Sequence, residues 1–355
     1  MSKFETSAGI KIPAMKGQQG GRVMYLCLTR NAVLNNFFPK EAEVPETPKA
    51  QRPYDPARAQ QIADYMVRDR EGFVLGTLTY AMSMPGSFEP AEDGASIGML
   101  HIPLEATLRC VDGQHRRGAI RHAMEALEEL RDDDTALLIY VEEELDARRQ
   151  MFSDMNWHQR PVSKSINVGF DQRDPFARAT QRLAANHPLL KGRVEEDRSS
   201  VRGNSENIYT LGAVYDALGR LFTGAGGRLR DKDKYGTEDD LYAAGNEFFT
   251  WLLNARDELQ TVQKKPGETP DMRVKTILLS STTLKMLASA VYILRQQAPG
   301  AKLGSYTKKL ADIDFGPKAT IWKKAGFVSP GKSTPNARLQ EIQAAAHAVA
   351  EVLGA

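Results

Sequence analysis

Strand signals in this chain stop about half-way along it. Up to residue 172, short β-prone runs alternate with helical ones; from 173 to 355 the apolar spacing is almost wholly helical. Alternation of the two periods implies a sheet with helices packed on it, whereas helices without strands can bury their apolar stripes only against one another. The fold expected is therefore α+β (mixed α/β), with an α/β domain over residues 1–172 and a mostly α-helical domain over 173–355. A length of 355 residues agrees, because it exceeds what one compact core usually serves.

Local signals fill in this outline. Residues 23–29 (VMYLCLT) are apolar and β-prone, and RNAVLNNFF after them reads as a short helix. Asp55-Pro56 is a helix start, with Asp as N-cap and Pro in the first helical position. Ile62, Met66 and Val67 then mark one apolar face. Further strand candidates are residues 73–82, SIGMLHI, ATLRCV and residues 136–141. HRRGAIRHAMEALEEL and LDARRQMFSDMN carry helical spacing. In the second half, Asp174-Pro175 opens DPFARATQRLAANH, and GRVEED is a short extended piece. YTLGAVYDALGRLF, TEDDLYAAGNEFFTWLLNARDELQTVQ, a long segment from 271 to about 297, and EIQAAAHAVAEVLG complete the helical half. Residues 223–237, TGAGGRLRDKDKYGT, read as the clearest flexible loop.

Composition narrows the class. A hydrophobic share of 41% with 26% charged residues is ordinary for globular proteins and argues against extended disorder. No stretch reaches the roughly 18 uninterrupted apolar residues of a membrane span. The start MSKFETSAGIKIPAMKG lacks the apolar core of a signal peptide, so a cytoplasmic protein with no membrane partner is expected. Cys27 and Cys110 are the only cysteines, too few for a disulfide framework or a cysteine-based zinc site. The histidines show no metal-ligand spacing, and no metal site is assigned. Residues 142–144 with Asp146 read as a cation site or, more often for such a run, a solvated strand end. A net charge of +2 permits nucleic-acid binding without demanding it, so any DNA contact has to come from local patches.

The segment LRCVDGQHRRGAIRHAMEAL carries the most chemistry. A β-prone run ends at Val111, Asp112-Gly113 suits a tight turn, and a helix begins near Gln114 or His115. Glycine accepts positive φ and lets backbone approach a ligand. The first helical N–H groups point outward with partial positive charge, which favours anions. His115 and Arg116 add donors suited to phosphate, and Arg117 with Arg121 extends the basic strip. Read alone, the segment is equally an ordinary turn followed by solvated arginines, with Asp112 as helix N-cap.

DGQHR at 112–116, followed by a small residue and a helix, resembles the signature of the DGQHR family. It is also similar to the phosphate-contacting turn of ParB- and sulfiredoxin-like domains. ARAQQIADYM followed by FVLGTLTYA looks like the helix–strand prelude of those folds. GQQGGRVMYLCLT, RRQMFSDMNWHQRPVSKSINVGFDQRD and SENIYTLGAVYDAL resemble pieces of the DndB family of bacterial DNA phosphorothioate-modification loci. The resemblance implies a ParB/sulfiredoxin-like N-terminal domain. It passes a phosphate- or nucleotide-binding role to Gly113, His115 and Arg116, with Asn156 and Arg160 expected near the turn, and leaves Asp112 and Gln114 as catalytic candidates. It implies a DNA-binding transcriptional regulator whose partners are double-stranded DNA at the promoter of its own locus and other proteins of the modification system. A homo-oligomer stays open. ATP or another nucleotide with magnesium is the implied cofactor, and a slow nucleotide hydrolase or ParB-like nuclease is the rival activity.

Candidate DNA contacts come from charge. Arg228 and Arg230 lie in GGRLRDKDK, where aspartates alternate with the cations. Lys318, Lys323 and Lys324 lie in the purer PKATIWKKAGFVSPGK, with Lys332 and an interleaved Trp322. Either run also reads as solubilising surface. Cys27, in mid-strand, reads as a small buried hydrophobe before a DNA contact.

Overall fold

The structure, a computed structural model, describes residues 9–37, 54–142, 144–157 and 162–355. The chain divides into two compact units, Met1–Arg160 and Pro161–Ala355.

In the first unit seven strands form one sheet. They are β1 (Gly9–Gln19), β2 (Arg22–Arg30), β3 (Leu78–Met82), β4 (Ser87–Pro90), β5 (Ile97–Pro103), β6 (Leu108–Asp112) and β7 (Asp134–Val141). Their spatial order is β4-β5-β1-β2-β7-β3-β6, antiparallel throughout except between β3 and β7. β1 turns into β2 through Gly20 and Gly21, at φ 56° and 78°, the backbone that a two-residue hairpin demands and glycine adopts freely.

Helices α1 (Asn31–Phe37), α2 (Pro56–Arg68) and α3 (Gln114–Ala126) pack on one face of this sheet, and α4 (Leu145–Trp157) on the other. Alternation along β3 shows the division: Tyr80 and Met82 join the core with Met66 and Ile120, while Ala81 joins Val111, Tyr140 and Met151 on the opposite face. α2 starts as its sequence requires, with the Asp55 carboxylate accepting from the N–H groups of Ala57 and Arg58 at 3.0 and 3.3 Å. The strand expected over 73–82 is shorter: only Leu78–Met82 joins the sheet.

The second unit is helical, with one short parallel pairing of β8 (Val194–Glu195) and β9 (Tyr209–Thr210). Its helices are α5 (Lys164–Phe170), α6 (Pro175–Asn186), α7 (Leu211–Thr223), α8 (Glu238–Ala255), α9 (Asp257–Lys264), α10 (Thr269–Lys275), α11 (Ser281–Gln297), α12 (Thr307–Ala311), α13 (Thr320–Lys324) and α14 (Leu339–Leu353). Phe248, Trp251, Leu287, Val291 and Trp322 lie in its continuous core.

Two segments that read as single helices are broken, each for a local reason. Arg256 adopts extended backbone between α8 and α9. Its guanidinium turns inward to donate to the carbonyls of Leu310, Ala311 and Ile313 at 2.8–2.9 Å. Thr276 interrupts the segment after α10, also in extended backbone, and its hydroxyl accepts from Leu278 N–H. Buried arginine recurs at Arg193, which donates to Glu206 O, Val262 O and the Thr269 hydroxyl. The stretch expected to be the most flexible is tied down: Lys232 pairs with the buried carboxylate of Asp174 and with the Tyr215 hydroxyl.

Candidate functional site

The DGQHR turn is built where β6 runs into α3. Its glycine is structurally required: Gly113 stands at φ 105°, and a Cβ there would lie 2.5 Å from Leu78 Cδ2. Gly113, and not Asp112, is the N-cap of α3, and among the described residues no side chain caps the helix. Asp112 turns instead to Arg116, one helical turn on, with 2.6 Å between its Oδ2 and an Arg116 terminal nitrogen. Both side chains are partly exposed, at 35% and 25%, so the pair is worth at most about 1 kcal/mol. An incoming anion can therefore compete with Asp112 for Arg116.

The other wall of the turn was not visible in the sequence. Arg116 lies flat against Gly76, where a Cβ would fall 2.5 Å from its Nη1. Tyr54 stacks on His115, with ring centroids 5.5 Å apart and planes 11° from parallel. Its hydroxyl presses on the backbone of Gly118, where a Cβ would fall 2.2 Å from it, and it has no hydrogen-bond partner among the described residues. The N–H of Asp55 donates to His115 Nε2 at 3.0 Å, which fixes the orientation of the ring. Arg117 is turned inward, 7% exposed, so the solvated strip expected from Arg117 and Arg121 is not formed as such.

Gly76 also borders a cleft of about 550 Å³ lined by Asn31, Arg70, Gly72, Asp133 and Thr135. Arg70 forks the Asp133 carboxylate at 2.8 and 3.0 Å. Asn31 is locked by donating to Leu130 O and accepting from the Thr135 hydroxyl. Arg160, and the side chain of Asn156, lie outside the described residues. Gln114 opens α3.

Cys27 is a core residue, 1% exposed, and burial pushes its thiol up to about 12. Such a side chain does not reach a DNA surface. Glu142 pairs with Arg22 at 3.3 Å.

In the second unit Arg228 and Arg230 are both exposed. Lys318, Lys323, Lys324 and Lys332 are exposed as well, and they belong to a longer basic stretch. Residues 302–338 contain Lys302, Lys308, Lys309, Lys318, Lys323, Lys324, Lys332 and Arg338 against only Asp312 and Asp314. All eight cations are exposed. Trp322, interleaved among these lysines in sequence, is wholly buried between Phe315 and Phe327, and its indole N–H donates to Asp314 O. It anchors the segment and leaves the lysines outside. Among the described residues no helix is long and apolar enough to cross a membrane.

No curated protein and no solved structure matches the chain. The likeness to ParB and sulfiredoxin domains therefore rests on the turn and its flanks alone. One family pattern, DndB, DNA-sulfur modification-associated, matches residues 12–355. With that match running over nearly the whole length, the chain belongs to the DndB family of DNA-sulfur modification-associated proteins.

Proposed function

We propose that this chain is a DNA-binding transcriptional regulator of a DNA-sulfur modification locus. The observation that carries the reading is the basic segment of the second unit: eight exposed cations against two aspartates over residues 302–338, mounted on a buried Trp322. Such a surface suits phosphate backbone, where each neutralised phosphate releases a counterion. The DGQHR turn is the seat for a phosphate or nucleotide: Arg116 supplies the charge, Gly113 the close approach, and His115 a ring nitrogen. ATP with magnesium is the probe of choice, and the nucleotide acts as a conformational input.

The hydrolase reading needs the incoming phosphate to release Asp112 from Arg116. Hydrolysis needs a group that positions water, and Asp112 is engaged by Arg116.

Fluorescence anisotropy with promoter duplex from its own locus tests the proposal. Lys323→Ala with Lys324→Ala is expected to weaken binding about uniformly across sequences and to reduce the slope of log affinity against log salt by roughly two. An unchanged slope would refute this surface. ATP turnover on the order of 1 s⁻¹ or faster, lost in Asp112→Ala, would replace the regulator with an enzyme.

A further inference from the structure

Away from both surfaces, the second unit gathers cations around one carboxylate. Asp216 lies on the face of α7 that also carries Gly212 and Arg220, one turn before and one turn after it. The absent side chain at Gly212 lets α5 cross closely: a Cβ there would sit 3.1 Å from Lys164 Cβ. The Lys164 ammonium pairs with Asp216 Oδ1. Lys285 arrives from α11, 3.8 Å from Oδ2 of the same carboxylate. Arg220 donates to Ala225 O and feels the Asp216 charge.

Two lysines thus share one carboxylate, with Arg220 one turn along α7 from it, so that cations outnumber the anion they surround. The place is only partly hydrated, with the side chains of Lys285 and Asp216 at 23% and 31% exposure. Burial is the largest influence disfavouring the charged form of Lys285; Asp216 opposes it, and Arg220 and Lys164 add to it. Crowding like charges in such a place is costly unless an anion completes the set.

Of the neighbouring carboxylates, Asp171, whose charge also acts on Tyr215, accepts from the N–H groups of Arg173 and Asp174. Tyr215, whose ring lies 4.8 Å from the Lys164 ammonium, is bound to Asp174 and Lys232, which balance each other. On the rim, the hydroxyls of Ser163 and Ser165 donate to the carbonyls of Asp197 and Arg198 at 2.8 Å. Those bonds hold the loop carrying Arg198 beside Lys164. Arg198 is exposed without an ion-pair partner among the described residues, and Asp197 is exposed there too. Arg273 fixes the rest of that loop through the carbonyls of Arg202, Gly203, Ser205 and Asn207.

We propose that Lys164, Arg220 and Lys285 form a phosphate-binding site in which Asp216 holds the cations until a phosphate group displaces it. The phosphate comes from a free phosphoanhydride or from a DNA backbone. The test uses the full chain with two probes, pyrophosphate by calorimetry and a short non-promoter duplex by anisotropy. Lys164→Gln and Lys285→Gln are expected to weaken at least one probe about tenfold, and Asp216→Asn to tighten the same probe by removing the competing anion. A purely structural cluster gives no such opposite signs. Circular dichroism establishes that each variant is folded, and Lys164, half exposed, keeps the test informative if Lys285→Gln unfolds. A loss confined to pyrophosphate supports a free ligand, and one confined to duplex supports backbone contact. No binding of either probe by the wild type, unchanged affinities in folded Lys164→Gln, or weakening by Asp216→Asn would overturn the site. A chain that binds pyrophosphate here but no DNA would sink the regulator reading and leave this site standing.

Discussion

Replacing Gly118 with alanine tests how the DGQHR helix is held. In an ordinary helix interior the change stabilises, because glycine costs roughly 0.5–1 kcal/mol relative to alanine there. Position 118 lies inside α3, so helix propensity alone predicts a gain. The structure predicts the opposite sign. A Cβ at 118 would sit 2.2 Å from the Tyr54 hydroxyl oxygen and 3.0 Å from Cε2 and Cζ of its ring. The ring must leave its place on His115, forfeiting about 0.5–1.5 kcal/mol of stacking and about 1–2 kcal/mol of apolar burial. Setting these against the propensity gain leaves Gly118→Ala destabilising by about 1–2 kcal/mol. Urea unfolding, with amide exchange along α3 to localise the change, measures it. The decisive comparison is a double-mutant cycle. In a Tyr54→Ala background the clash is gone, and Gly118→Ala is expected to stabilise by up to about 1 kcal/mol. If Gly118→Ala stabilises the wild-type chain, Tyr54 does not pack on α3, and the account of how His115 is oriented fails with it.

Other predictions follow from buried groups. His187 is 1% exposed, and burial lowers its pKa to about 4, so the folded chain refuses a proton that the unfolded chain accepts below its ordinary value. Its contribution is complete above about pH 6.5 and is lost as pH falls towards 4, about 2 kcal/mol between pH 7 and 5. Unfolding curves at the two pH values should show that loss in the wild type and not in His187→Gln; equal slopes would refute it. Arg193→Met strands the carbonyls of Glu206 and Val262, and should cost about 3–5 kcal/mol by thermal melting. Cys27, with its thiol pushed up to about 12, should react with a thiol reagent only on the timescale of unfolding; rapid labelling of Cys27 in the native chain would show it accessible.

Much of the outline was legible because local chemistry states it. Asp55-Pro56 and Asp174-Pro175 each begin a helix where their side chains accept backbone N–H groups, and these are contacts within a few residues. The DGQ turn between strand and helix was legible for the same reason, since only glycine tolerates φ 105° beside Leu78. β1 was not visible: its buried positions are only Ile12 and Ala14, separated by Pro13, and its stability comes from partners on both sides, β2 and β5. The breaks at Arg256 and Thr276 were hidden too, because what ends each helix includes carbonyls some 40 to 57 residues away in sequence.

At the sites the division is similar. The sequence by itself determined which residues carry charge and where the turn lies. Only tertiary structure decided that Asp112 holds Arg116, that Tyr54 and Gly76 wall the turn, that Arg117 and Cys27 face inward, and that Trp322 is an anchor under the lysines. Residue identity is a property of one position. Burial and pairing belong to the space between positions, and packing alone assigns them.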